Sequence, residues 1–181
     1  TEDERLQFAP DETPPPYKAE DQPVPPDSQW SEERLAKANR NYAMEYIRNG
    51  MQALVSVMGA EEARALSTRA ARLIGLQTFQ RLATMVDGHD GDAADAAQFL
   101  ATMFTGMGDT CVVDSGATRS TATVNESGLR IVRGLDDAAS DSLLVPWIEL
   151  WRGALRSYRI RKEVEVTRDG DTLRWTIQDI T

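Results

Sequence analysis

The chain has 181 residues, 41% of them apolar and 27% charged, and a formal net charge of −9. That is enough apolar sequence to bury a real interior; the acidic balance argues against recognition of a phosphate backbone or an anionic bilayer, so neither nucleic acid nor membrane is an expected partner. No apolar run is long enough to span a membrane, the opening residues lack a signal-peptide apolar region, and one cysteine, Cys111, fits a reducing cytoplasm without disulfides.

Residues 1–30 read as an extended acidic arm and residues 31–181 as one α+β domain. The arm holds eight acidic side chains against two basic ones, and seven of the eight prolines. Proline fixes φ and lacks an amide donor, so neither helix nor sheet is expected to run through this stretch. Its triple proline favours the polyproline II conformation. Leu6, Phe8, Tyr17, Val24 and Trp30 punctuate the arm and are candidate anchors for a partner protein.

Helical spacing begins after the arm. Ser31 is one candidate cap, Glu32 and Glu33 suit the first turn, and Leu35, Tyr42, Tyr46, Ile47, Met51, Leu54, Val55 and Met58 predict a helix over 31–58 that Gly59 ends. A second helix is predicted over 60–86, with Leu66, Ala70, Leu73, Ile74 and Leu82 on its apolar stripe. The loop "DGHDGD" separates it from a third over 92–107, carrying Phe99, Leu100 and Phe104. The period then changes to alternation, and residues 110–133 predict two or three short antiparallel strands with turns at Ser115-Gly116 and Ser127-Gly128. "DDAASDSLLVPWIELWRGALRSYR" returns to helical spacing, with Asp141 or Ser142 as cap and Pro146 in the first turn. "KEVEVTRDGDTLRWTIQD" predicts a closing hairpin turning at Asp169-Gly170. The fold class is therefore α+β: three N-terminal helices, an antiparallel sheet of four to five short strands, and one further helix before a C-terminal hairpin.

Catalytic signatures are sparse. No phosphate-binding loop, dinucleotide fingerprint, metalloprotease helix or nucleophile elbow is present, and no cofactor or metal is expected. His89 lies among Asp87, Asp90, Asp92 and Asp95, but a calcium loop would carry a glutamate where Gln98 stands, so this reads as a solvated turn. Cys111 and His89 are the weak catalytic candidates. The imidazole lies in a different loop, so no base adjoins Cys111 in sequence, and Cys111 sits in a strand context where a free cysteine packs as a small hydrophobe. Glu163 and Glu165 alternate with valines, as on a solvated strand face. Arg152, Arg156 and Arg159 recur at helical spacing and form a candidate face for an anion or an acidic partner. Gly153 sits within that helix, where glycine costs about 1 kcal/mol against alanine, so it marks a close approach of a strand, ligand or subunit. Tyr42, Tyr46, Phe79, Phe99, Phe104, Trp147, Trp151 and Trp175 read mostly as core.

"GMQALVSVMGAEEARALSTRAARLIG", "PWIELWRGALRS" and "EVEVTRDGDTLRWTI" together resemble the L-2-amino-thiazoline-4-carboxylic acid hydrolase-like family over roughly residues 40–178. Those proteins look related in fold to vinyl-reductase-type ligand-binding domains. The resemblance implies a pocket between helices and sheet, and hydrolysis of a small cyclic C–N or C–S substrate. The family's cysteines near the last helix and hairpin have no counterpart in "GDTLRW", so no catalytic residue carries over. The function expected from the sequence is an accessory subunit of a larger bacterial enzyme complex, built on this hydrolase-like fold and docking through its arm into a hetero-oligomer. The alternatives are a hydrolase of that type, and a binding module for a small-molecule ligand.

Overall fold

The computed structural model describes residues 30–85 and 91–180. Leu6, Phe8, Tyr17, Val24 and the rest of the arm before Trp30 lie outside the described residues, as does His89 with Asp87 and Asp90. The fold is α+β, in the order α1 (Glu32–Met58), α2 (Ala60–Met85), α3 (Ala93–Met107), β1 (Thr110–Ser115), β2 (Thr121–Ser127), a short 3-10 turn (Arg130–Val132), α4 (Asp137–Leu155), β3 (Lys162–Asp169) and β4 (Thr172–Asp179). The 3-10 turn stands where a third consecutive strand was one of the expectations. The four strands form one antiparallel sheet in the order β1-β2-β4-β3. α4 is the excursion between the first hairpin and the second.

Local chemistry sets most boundaries. Ser31 caps α1 by accepting the Arg34 N–H, and Gly59 follows it at φ +88. Asp92 caps α3 through the Asp95 N–H, and Gly108 ends it in the left-handed region. Asp92 and Asp95 also hold Arg119, at 2.7 Å each, which pins the β1–β2 loop to the start of α3. The aspartates of the suspected metal loop that fall among the described residues are thus taken up by a cap and an ion-pair cluster. α4 starts earlier than its sequence suggests: Asp136 is the cap, through the Ala139 N–H, and Pro146 lies inside the helix. The helix also stops sooner, at Leu155, with Arg156 at its C-cap, so Arg159 lies beyond it. In the closing hairpin Asp169 pairs with Thr172, leaving Gly170 and Asp171 as the turn. Gly170 alone of these two takes a positive φ, as a two-residue turn with glycine first requires.

One face of the sheet carries Val124, Glu126, Leu173, Trp175 and Ile177 inward against the helices. The other carries Thr123, Asn125, Arg174, Glu163 and Glu165. α3 lies on the inward face against β1, β2 and β4, and α2 packs most extensively on α4. Phe79, Phe99, Phe104, Trp147, Trp151 and Trp175 meet between them. Phe104 stands 5.3 Å, centroid to centroid, from both Trp151 and Trp175, contacts worth about 1 kcal/mol each beyond area burial.

The α2–α4 crossing answers the question that Gly153 raises. A Cβ on Gly153 would lie 2.3 Å from the Arg72 carbonyl oxygen, and a Cβ on Gly75 would lie 1.9 Å from that of Leu150. The close neighbour is another helix backbone of the same chain. α2 therefore buries a narrow stripe four residues apart: Ala63 and Gly75 are buried, Ser67 and Ala71 are half-buried between them, and Phe79 and Ala83 continue it. This displaces the stripe read from the larger side chains. Leu66, Leu73 and Ile74 are exposed by half or more.

Candidate functional site

The first site follows from that displacement. α1 buries only Met44 and Met51, while Leu35, Tyr42, Tyr46 and Ile47 stay in solvent, Tyr46 at 82%. The expectation that Tyr42 and Tyr46 belong to the core is corrected, because no element of the described chain covers the outer side of α1. Tyr46, Ile47 and Ile74 rim a groove of about 320 Å³ between α1, α2 and α4, whose walls include Leu54, Trp147 and Leu150. The groove is lined almost wholly by apolar side chains and continues outward into the exposed tyrosines and leucines. Contiguous exposed apolar surface on a folded protein marks a surface that another molecule covers.

A second cluster sits beneath the sheet. Glu126 is fully buried, and its Oε2 accepts the Trp175 indole N–H at 2.8 Å. Asp109, also buried, accepts the Arg130 backbone N–H at 2.7 Å through Oδ1. The other oxygen of each carboxyl is also buried, and the Trp147 indole N–H lies near Glu126, where it favours the ionised form. The two carboxyls are near enough to hydrogen-bond, so one proton between them satisfies both. Burial pushes the Glu126 carboxyl up to about 8, and the charge of Asp109 acts in the same direction. Both carboxyls are raised by burial, and the backbone donor with the nearby Arg130 and Arg133 charges favours the ionised form at Asp109.

Cys111 is the direct strand partner of Glu126 and is half-buried. Burial pushes its thiol up to about 11, reinforced by the Glu126 and Asp109 charges. Such a thiol is the opposite of an activated nucleophile. Iodoacetamide labelling of the native chain at pH 8 is expected to run about a hundredfold slower than that of a small free thiol, since only the thiolate reacts. Mass spectrometry against a reference thiol checks this, and equal rates would mean an activated or open site.

The arginines divide. Arg152 and Arg156 line a cleft with Arg161 and Lys162 where α4 ends and β3 begins, and exposed Arg159 is not among its lining residues. Burial alone would raise the Glu149 carboxyl, but Arg152 and Arg72 hold it below the ordinary range from either side. Trp30, at 44% exposure, stacks under the Arg34 guanidinium at 4.8 Å. Asp109 and Glu126 were not singled out in the sequence. The signal was there: Ala122 and Val124 face inward, and the two-residue period of a strand carries Glu126 to the same side.

No family model and no curated protein sequence matches the chain. Among solved structures it is similar to trafficking protein particle complex subunit 3 from Naegleria fowleri, covalently bound to palmitic acid. The TM-score is 0.59 at 14% sequence identity, over 80% of this chain and 97% of that one. At that identity the likeness is one of fold. It corrects the expected function: a solved protein of similar fold is a trafficking-complex subunit, not a hydrolase or an accessory chain of a bacterial enzyme complex, and the hydrolase-like and bacterial descriptions fall with it.

Proposed function

We propose that this chain is a non-catalytic assembly subunit that pairs, through the apolar face of α1 and α2, with a second copy of itself. The observation that carries this reading is the uncovered face itself: Tyr42, Tyr46, Leu73 and Ile74 stand at least half exposed around an apolar groove. Tyrosines on such a face supply large contact area at low entropic cost and are the usual energetic anchors of an interface. The similarity in fold to a subunit of a trafficking particle complex supports it. The groove is read as part of a protein interface because it lies between helices whose exposed apolar side chains flank it. The protonated thiol beside two buried carboxyls argues for structure at that position, not turnover.

The test is sedimentation equilibrium of the full chain, with Tyr46→Ser/Ile74→Ser as the variant. Both positions are exposed, so the variant keeps its fold, checked by circular dichroism. The wild type is expected to self-associate and the variant to dissociate at least about tenfold more readily, the loss of roughly 1.4 kcal/mol of interface energy. A wild type that stays monomeric at high concentration, or a variant that associates equally well, would overturn the reading.

A further inference from the structure

The cleft between the C-terminal end of α4 and the start of β3 is remote in kind from the apolar face. It measures about 650 Å³, within the range of small-ligand sites. The chain carries −9 overall, yet four cationic side chains line this cleft against two acidic ones, Glu149 and Glu163. Several of these charges are committed. Glu149 is clasped by Arg72 and, at 3.0 Å, by Arg152. Lys162, whose side chain is fully buried, gives its ammonium to Asp179 at 2.6 Å and to the Gly91 carbonyl at 2.9 Å.

Arg156, Arg161 and the exposed Glu163 remain, a net cation whose donors are the two arginines. Both are exposed, and neither has an ion pair among the described residues. The deeper Arg152 adds a buried Nε that has no acceptor among them. The negative end of the α4 dipole accounts for cations at Arg152 and Arg156. It does not account for Arg161, which comes from the other wall and is fixed there by the Ile180 N–H on its carbonyl, at 2.9 Å. Val164 and Ile180 supply an apolar floor beside these cations. Guanidinium forks facing one space match the oxygens of a phosphate, and an apolar floor matches a non-polar ester group.

We propose that this cleft binds a phosphate monoester, with Arg156 and Arg161 on the phosphate oxygens and the ester group on Val164 and Ile180. The proposal does not depend on the assembly reading, since the cleft and the apolar groove both border α4 but share no lining residue. The experiment is calorimetric titration of the full chain at low salt with phenyl phosphate and with inorganic phosphate, alongside flotation with vesicles containing phosphatidic acid. Saturable binding is expected, tighter for phenyl phosphate than for inorganic phosphate. Arg156→Ser/Arg161→Ser is expected to weaken it about tenfold or more, with an unchanged melting temperature because both side chains are exposed. Binding to vesicles alone, lost in the same variant, would support the site and place its phosphate on a lipid headgroup. Absence of binding to all three probes, or equal binding by the variant, would overturn it.

Discussion

Gly153→Ala is expected to destabilise the chain by about 3 kcal/mol, at the upper end of what overpacking costs, and to lower its Tm by roughly 6–12 °C. In an exposed helix the same change would stabilise by up to about 1 kcal/mol, so the sign alone is informative. The reason is the 2.3 Å from the new methyl to the Arg72 carbonyl oxygen. A backbone atom in a packed helix cannot rotate away as a side-chain tip can. α2 and α4 would have to part, and the aromatic cluster they enclose would lose contact along its length. Gly75→Ala meets the mirror obstruction at the Leu150 carbonyl and should cost at least as much. Combining the two should cost less than their sum, because the first already opens the crossing that the second obstructs. Gly50→Ala on α1 is the control. A Cβ there meets nothing within 4 Å, and a neutral or stabilising result is expected. Thermal denaturation of the four variants decides the matter, and a Gly153→Ala chain melting with the wild type would refute the tight crossing.

The second large effect is on the pH dependence of stability. The Glu126 carboxyl, buried beside Asp109, titrates near 8 in the folded chain, against about 4.5 once unfolded. Between those values the folded chain keeps a proton that the unfolded chain has released. Its stabilising contribution is complete below about pH 4.5 and is lost as pH rises through 8, on the order of a few kcal/mol in total. Asp109, also raised by burial, adds a loss of the same sign. Glu126→Gln preserves the shape, accepts the Trp175 indole N–H through its carbonyl, and offers Asp109 an amide donor that cannot titrate. The variant should match the wild type near pH 5 and exceed it at pH 8. Urea denaturation from pH 5 to pH 8 reads this directly. Parallel stability profiles for the two chains would show that the carboxyl pair does not share a proton.

The fold class and element order were legible because their signals are local. Ser31, Gly59, Asp92 and Gly108 act on their own helix ends, and the alternation of Leu173, Trp175 and Ile177 needs only the strand that carries it. The faces of α1 and α2 were not, because apolar periodicity weights side chains by size. α2 is buried along its smallest residues, where the backbone of α4 comes close enough to use them. Leu73 and Ile74 consequently read as core and lie outside it. For the cleft, Arg152 and Arg156 were readable as one turn of a helix. Their meeting with Arg161 depends on α4 ending at Leu155, which also carries Arg159 away. The carboxyl pair joins residues 17 apart through a strand register that no local window contains.

The strand order has a consequence for how the chain reaches its native state. β2 pairs with β4 from Thr121↔Gln178 to Ser127↔Thr172, spanning the α4 excursion, and α2 finds its main neighbour in α4 rather than in α3. During synthesis, α2 emerges well before α4, its main neighbour, and β2 well before β4, its strand partner. Late, sequence-distant closure of this kind slows folding and lengthens the exposure of sticky intermediates. Ribosome-bound fragments ending before Trp175 should therefore engage chaperones, and a chain circularly permuted to begin at α4 should fold by a different route to the same end state.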